Sequence, residues 1–330
     1  RPFWGGTYFP KEDLGDGLAP WSQVLMRVAE HYRKAKNELV ENAQNVIANI
    51  LHSNNPDLSS GEKWNRGMLG IITEKLCDLH DDQYGGFTSA PKFPSPMKID
   101  FFLSMQETDF LRSRKDKWDQ VNLCIEKTLK FLTRGGIYDH LGGGFFRYCT
   151  DEKWTKPHYE KMLSDNALLL RTFARAFRNK PSENYLRIIS GTITWLNKEM
   201  GNPEIGYCSS LSAEIKGKEG AFYEWTLDEM VSILGKQDAE KFFNFLPEIS
   251  KNSHKKLPQL IINEEISSEE QLNFISLLRE HREKRPTPLR DEKRLLSHNS
   301  LLISAFIEVA IALRDLNLLE DAIRLQNWMS

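Results

Sequence analysis

Apolar residues recur at intervals of three and four along most of this 330-residue chain, with polar positions between them. That period gives each segment one core-facing stripe and predicts helices. They fall near 64–79, 96–112, 117–134, 158–178, 182–200, 227–247, 268–284, 297–314 and 318–329. Pro20 opens an earlier helical run, in which Trp21, Val24, Leu25, Val28, Tyr32, Leu39, Ala43, Val46, Ile47 and Ile50 share a face. The opening RPFWGGTYFP alternates aromatic and small residues between turn formers, and it predicts one short strand. A lone strand leaves backbone groups unpaired, so its partners are expected upstream of Arg1 or in another chain. The polar stretch 53–63, with Asn, Pro, Ser and Gly, predicts a linker between a segment 1–52 and a helical domain 64–330.

The connections refine this picture. Those near 113–116, 179–181 and 315–317 are short, whereas 80–95, 135–157, 201–226 and 285–296 are long and rich in Gly, aromatic and charged residues. In an array of antiparallel helix pairs, such alternation puts short turns on one rim and elaborate loops on the other, where binding and catalysis usually sit. The expected fold is mainly α, an α/α toroid or part of one. An open solenoid competes, but no fixed-period repeat stands in the residues.

Composition excludes more than it identifies. The 44 basic and 46 acidic residues nearly cancel, which gives no electrostatic footprint for nucleic acid or an anionic membrane. Cysteines at 77, 124, 149 and 208 form no C-x-x-C pair and are expected as buried free thiols. The apolar run Leu301–Leu313 falls short of the roughly 20 residues that span a bilayer. The histidines lack ligand spacing, so neither a metal nor another cofactor is expected. The chain opens at Arg1 without a signal peptide and reads as a fragment, which leaves its compartment open.

Candidate chemistry gathers in three segments. In GGIYDHLGGGFFRY (135–148), Gly135 and Gly136 suit a helix C-cap, and Gly142, Gly143 and Gly144 permit close backbone approach. Asp139 and His140 there are either an acid–base pair or a loop brace. In DEKWTKPHYEKMLSDN (151–166), Pro157 suits an early helical position, and His158, Met162, Asp165, Leu169 and Phe173 then share a stripe. Lys161 and Asp165 can pair at the surface four residues apart, and Glu160 is expected to be exposed. Two carboxylates converging from separate loops are the minimum for glycosidic acid–base work. In RDEKRLLSHNSLLI (290–303), Ser297 or Asn299 suits an N-cap. Catalytic candidates are therefore Asp139, His158, Glu160, Lys161 and Asp165. Candidate substrate contacts are Tyr138, His140, Arg147, Trp154, Asn166, Trp225, Asp291, Lys293 and Asn299. The aromatic stretches YGGF (84–87) and KEGAFYEWT (218–226) offer either sugar-stacking surfaces or scaffold packing.

The strings GGTYFP, ENAQ, YGGF with APKFP, GGIYDHLGGGF, PHYEKMLSDNA and KEGAFYEWT occur in order along nearly the whole chain. In them the chain resembles the spermatogenesis-associated, thioredoxin-like protein family and its bacterial YyaL-type relatives. The resemblance implies a thioredoxin-like domain followed by a toroid similar to six-hairpin glycosidases and sugar 2-epimerases. On this view residues 1–52 are the last strand and helix of the first domain, whose cysteine motif precedes Arg1, and 64–330 is an incomplete toroid. The chain departs from the family pattern at Phe146, where a histidine is usual, and at Ser164, where a tyrosine is. It departs again at Ser212 and Glu214, around Ala213, where the family has an Asp-rich string, and at Glu292, His298 and Ser300. Two functions follow as expectations: a non-catalytic scaffold or pseudoenzyme with a protein partner, or a carbohydrate-binding or carbohydrate-modifying toroid with acid/base carboxylates. Whether the chain is an enzyme stays open on the residues alone.

Overall fold

The computed structural model describes residues 2–6, 9–13, 17, 19–54, 65, 67–244 and 269–330. They divide into two compact units, Arg1–Met68 and Leu69–Ser330. Most of the linker expected at 53–63 lies outside the described residues.

The first unit holds α1 (Trp21–Lys34) and α2 (Lys36–Asn54). No strand forms among the described residues of 1–10, contrary to the alternation there. Trp4 and Phe9 instead pack with Trp21 at the start of α1, with ring centres 5.5 to 6.1 Å apart. A strand needs a neighbour for its ladder, and aromatic packing is what remains without one. Of the predicted apolar stripe, Leu39 and Ala43 are buried, whereas Trp21, Leu25, Tyr32, Val46 and Ile50 are exposed.

The second unit is mainly α. Its helices are α3 (Gly67–Asp78), α4 (Pro96–Gln106), α5 (Asp109–Arg112), α6 (Lys115–Arg134), α7 (Leu163–Asn179), α8 (Glu183–Trp195), α9 (Leu227–Leu234), α10 (Lys236–Asn244), α11 (Glu269–Arg282), α12 (Leu296–Leu313) and α13 (Leu316–Met329). α7 is central, packing against α4, α8 and α12, and α12 packs in turn on α13. Leu163, Leu169, Leu170, Phe173, Leu302 and Phe306 fill the contact and are completely buried. α12 is long and apolar enough to cross a membrane by length and composition, yet Asn299, Leu302, Ala305, Phe306, Val309 and Ala310 on it are buried in this protein core.

Three predicted helices are interrupted. The segment 96–112 breaks at Thr108, whose hydroxyl accepts from the Leu111 amide and starts α5 afresh. The described part of 227–247 breaks at Gly235, which adopts φ +79°. The end of 182–200 widens into a π-helical turn, Leu196–Met200.

The long loops carry the strands: β1 (Tyr148–Cys149), β2 (Pro157–His158), β3 (Lys161–Met162), β4 (Gly201–Asn202), β5 (Gly206–Tyr207), β6 (Ser210–Leu211), β7 (Glu214–Ile215), β8 (Lys218–Glu219) and β9 (Arg290–Asp291). β3, β6 and β9 form an antiparallel sheet that joins three of these loops. Lys161 pairs with Leu211 and Leu211 with Arg290; Met162 pairs with Ser210 and Ser210 with Asp291. A fourth loop is tied in where Lys92 bridges Cys149 and the Trp154 indole donates to the Tyr84 carbonyl at 2.9 Å. The long loops therefore do meet, as their alternation with short turns implies. All four cysteines are buried free thiols.

Candidate functional site

The helix expected from residue 158 starts at Leu163, because the preceding backbone is engaged in strands. Tyr148 pairs with His158, Lys161 with Leu211, and the Arg147 amide donates to the Glu160 carbonyl at 2.9 Å. Pro157 is thus a strand residue, and His158 shares no helical stripe with Asp165. The Lys161–Asp165 surface pair is likewise replaced. β3 turns Lys161 inward, where its ammonium donates to Asp139 at 2.8 Å and to the Gly143 carbonyl at 2.7 Å.

Asp139 anchors a buried group that joins two cationic side chains to the loop backbone. Its Oδ1 accepts from Arg282 at 2.7 Å and from the amides of Leu141 and Gly142 at 3.1 and 3.0 Å; its Oδ2 accepts from Lys161. All three side chains are buried. Burial alone would raise the carboxyl, but Arg282 and Lys161 outweigh it and hold Asp139 far below the usual carboxylate range. At Lys161 burial prevails over Asp139 and lowers the ammonium, whereas at Arg282 the attraction of Asp139 prevails and raises the guanidinium. The Lys161 ammonium lies 5.1 to 5.2 Å from the ring centres of Phe146, Trp195 and Tyr223.

This geometry removes Asp139 from acid–base work, which requires a group that changes protonation near the working pH. His140 is no partner for it either. Its Nε2 lies 3.0 Å from the Gly135 carbonyl, and burial followed by repulsion from Arg187 pushes its pKa down to about 3. The pair is a brace, the milder of the two readings the residues allowed.

A second group lies nearer solvent. Arg147 donates to Glu160 at 2.9 Å; His158 sits 2.7 Å from Glu219 and 3.8 Å from Glu160, its ring stacked on Tyr148. Glu160 is half-buried rather than exposed. Asp165, in the first turn of α7, is also half-buried, and burial pushes its pKa up to about 6, with Arg147 opposing and Glu160 assisting. Ionising Asp165 therefore costs the folded chain. Between about pH 4, the ordinary carboxylate range, and pH 6 the folded state binds more protons than the unfolded one, and stability falls as pH rises through this window. Asp165→Asn should flatten that fall. Thermal unfolding of both chains at about pH 5 and about pH 7.5 checks it, and an equal drop in both would refute the assignment.

Asp291 lies apart from both groups. Neighbouring strand residues point to opposite faces, so Lys161, Leu211 and Arg290 share one face while Met162, Ser210 and Asp291 share the other. Asp291 pairs with exposed Lys293 at 3.0 Å, which lowers its carboxyl. Asp139 and Asp291 consequently face no common pocket.

Several candidate substrate contacts are structural. Asn299 is not an N-cap, since α12 starts at Leu296 without a side-chain cap; it is buried and clamps the Tyr207 amide and carbonyl at 2.9 and 3.1 Å. Asn166 does the same for Phe145, at 2.6 and 3.0 Å. Tyr138, Trp154 and Trp225 are buried, as are Phe87, Phe222 and Tyr223 of the aromatic–glycine stretches, so these rings pack the scaffold rather than offering stacking surfaces. Arg147 alone among the aromatic and basic candidates of 138–154 is exposed.

Sequence reasoning missed Arg282, which reaches Asp139 across 143 positions from a helix without motif character. It also missed Glu219 as the partner of His158, and a cleft of about 580 Å³ on the Lys161 face of the sheet, walled by Lys198, Glu199, Leu211, Phe222, Glu283 and Arg290. The π turn that brings Lys198 and Glu199 to this wall has no signature in hydrophobic period.

The chain is 34% identical over 244 residues to spermatogenesis-associated protein 20 of mouse and, equally, of human, across 71% of its own length. It belongs to that family. An uncharacterized protein of Caenorhabditis elegans is 25% identical across 98% of the chain. The chain spans 30% of the length of the mammalian relatives and 48% of the nematode one. No protein-family model matches it. Among solved structures, cellobiose 2-epimerase of Spirochaeta thermophila is 14% identical, with 79% of this chain and 85% of that one covered at a TM-score of 0.35. A D-mannose isomerase is 10% identical, with coverages of 80% and 86% and a TM-score of 0.34.

Proposed function

We propose that this chain is a non-catalytic member of its family, a helical scaffold whose loop face binds a partner without transforming it. The observation that carries this reading is the engagement of Asp139. The carboxylate best placed by motif for acid–base chemistry is buried, held ionised and bonded to Lys161, Arg282 and two backbone amides. Phe146, where the family resemblance leads one to expect a histidine, packs edge-on against Tyr159 and Tyr223 and closes an aromatic wall around Lys161. The polar chemistry at the centre of the loops thus serves to hold them in place.

One observation favours the carbohydrate-modifying alternative: Asp165 titrates near 6 beside Glu160, the range a general acid needs. The two readings separate in one experiment. The purified chain is incubated with aldoses and disaccharides, and products are followed by NMR. No conversion is expected. Conversion that disappears in Asp165→Asn would overturn the scaffold reading and establish the other.

A further inference from the structure

A second cavity, of about 480 Å³, opens among the helices of the same unit. Sites for small ligands and side chains run to roughly 300–1,000 Å³, so its size is ordinary for one. None of its lining comes from the four long loops. It lies where α5 and α7 end, at Arg112 and Asn179, beside the short connections. Leu103 of α4, Ile125 of α6 and Ala176 of α7 give it an apolar lining, and all three are buried. Trp118 of α6 and Tyr185 of α8 add half-buried aromatic rings. Burial, then repulsion from Glu126, pushes the Tyr185 pKa up to about 12, so its hydroxyl stays protonated.

Three carboxamides line the same cavity and form one hydrogen-bonded row. Asn179 Nδ2 donates to Gln106 Oε1 at 3.0 Å, and Gln106 Nε2 donates in turn to Asn122 Oδ1. Each carboxamide both donates and accepts, so such a row has one acceptor end and one donor end. Among the described residues nothing donates to Asn179 Oδ1, and Asn122 Nδ2 donates to nothing.

We propose that this cavity binds an extended peptide segment of a partner protein, with an uncharged apolar side chain against the apolar lining and main-chain amides at the two ends of the carboxamide row. A peptide unit offers one donor and one acceptor, and successive units recur every 3.3–3.6 Å along an extended chain. The row offers the complement, a donor end on α6 and an acceptor end on α7, held apart by Gln106 of α4. A nucleobase carries its donors and acceptors side by side on one edge, which matches one end of the row but not both. Charge disfavours an ionic ligand. Glu107 and Glu126 balance Arg112 and Lys180 in the lining, Lys180 pairs with Glu126 at 2.6 Å, and Arg178 with Glu107 at 3.5 Å. Aromatic residues such as Trp118 and Tyr185 are those that protein interfaces favour.

This site is independent of the loop-face reading: conversion of a sugar would overturn that reading and leave this one standing. The test titrates the purified, ¹⁵N-labelled chain with acetyl-Ala-Phe-Ala-amide, acetyl-Ala-Lys-Ala-amide and uridine, followed by NMR. The phenylalanine peptide should saturate below about 10 mM and shift the side-chain amide signals of Asn122 and Asn179. The lysine peptide and uridine should each bind at least about tenfold more weakly. Asn122→Asp keeps the acceptor that Gln106 uses and removes the donor, so it should weaken the phenylalanine peptide about tenfold, the effect of one hydrogen bond. Trp118→Ala should weaken it at least as much, and the shifts in the parent chain decide the matter if either variant unfolds. The proposal is overturned by no saturation with the phenylalanine peptide, by shifts confined to residues outside the cavity, or by tighter binding of either competitor. Unchanged affinity in both variants would overturn it too, as would concentration-dependent shifts of the same signals without peptide, which mean that a second copy of the chain fills the cavity.

Discussion

Asp139→Ala should lower the free energy of unfolding by about 3–5 kcal/mol, because it strands Lys161 and Arg282 as buried charges without their counter-ion. Both cations are fully enclosed, and neither can reach water without opening the loops that the carboxylate joins. The Leu141 and Gly142 amides would lose their acceptor at the same stroke. Denaturant unfolding monitored by the buried tryptophans measures the loss. Replacing the whole group, Asp139→Leu with Lys161→Met and Arg282→Met, should recover much of it, since a missing ion pair costs less than a half-empty one. A loss under about 1 kcal/mol in Asp139→Ala would mean that the group does not brace the loops.

The same residue fixes a pH signature. A carboxyl held below its usual range contributes stability that is present above the unfolded pKa and is lost only as pH falls through the folded one. For Asp139 that loss lies below the window in which ordinary carboxylates titrate. Its brace therefore persists in mild acid, while Asp165, shifted the opposite way, makes the chain more stable as it protonates. Two carboxylates of one loop-and-helix region thus respond to acid with opposite signs.

Much of the fold was legible in the sequence. Period three-to-four spacing located every described helix of the second unit apart from its breaks, and the alternation of short with long connections correctly gathered the elaborate loops together. Where the reading failed, a nonlocal partner decided. Helix α7 lost its expected first turn because β6, from a distant loop, claims the backbone at Lys161 and Met162. Asn299 reads as a cap by residue type, and only the approach of Tyr207 shows it to be a clamp inside α12. The site was half legible for the same reason. Asp139, His158, Glu160, Lys161 and Asp165 were found from local strings, but Arg282, Glu199 and Glu219 reach them from segments with no local mark. Family resemblance pointed to these stretches without telling a brace from a catalyst, a distinction that burial and counter-ions make.

Gly143→Ala should be nearly as damaging as the loss of Asp139, at about 2–5 kcal/mol, for reasons of shape rather than charge. Gly143 adopts φ +83°, a left-handed conformation that costs a side-chain-bearing residue roughly 1–2 kcal/mol. A Cβ there would also stand 2.1 Å from the backbone carbonyl oxygen of Gly191 in α8 and 3.3 Å from the Trp195 side chain. Backbone cannot swing aside as a flexible side chain does, so loop and helix must separate, an overpacking cost of about 1–3 kcal/mol. The separation would move the Gly143 carbonyl, which accepts from Lys161, and the Gly143 amide, which donates to the Asp139 carbonyl at 2.8 Å. Gly217 provides the control. It has φ +76°, but a Cβ added there would meet nothing within 4 Å, so Gly217→Ala should show the conformational cost alone, about 1–2 kcal/mol. Denaturation midpoints of the two variants compare the effects directly. Equal losses would mean that the close approach of the glycine loop to α8 carries no energy, and that the loop is positioned by the Asp139 brace alone.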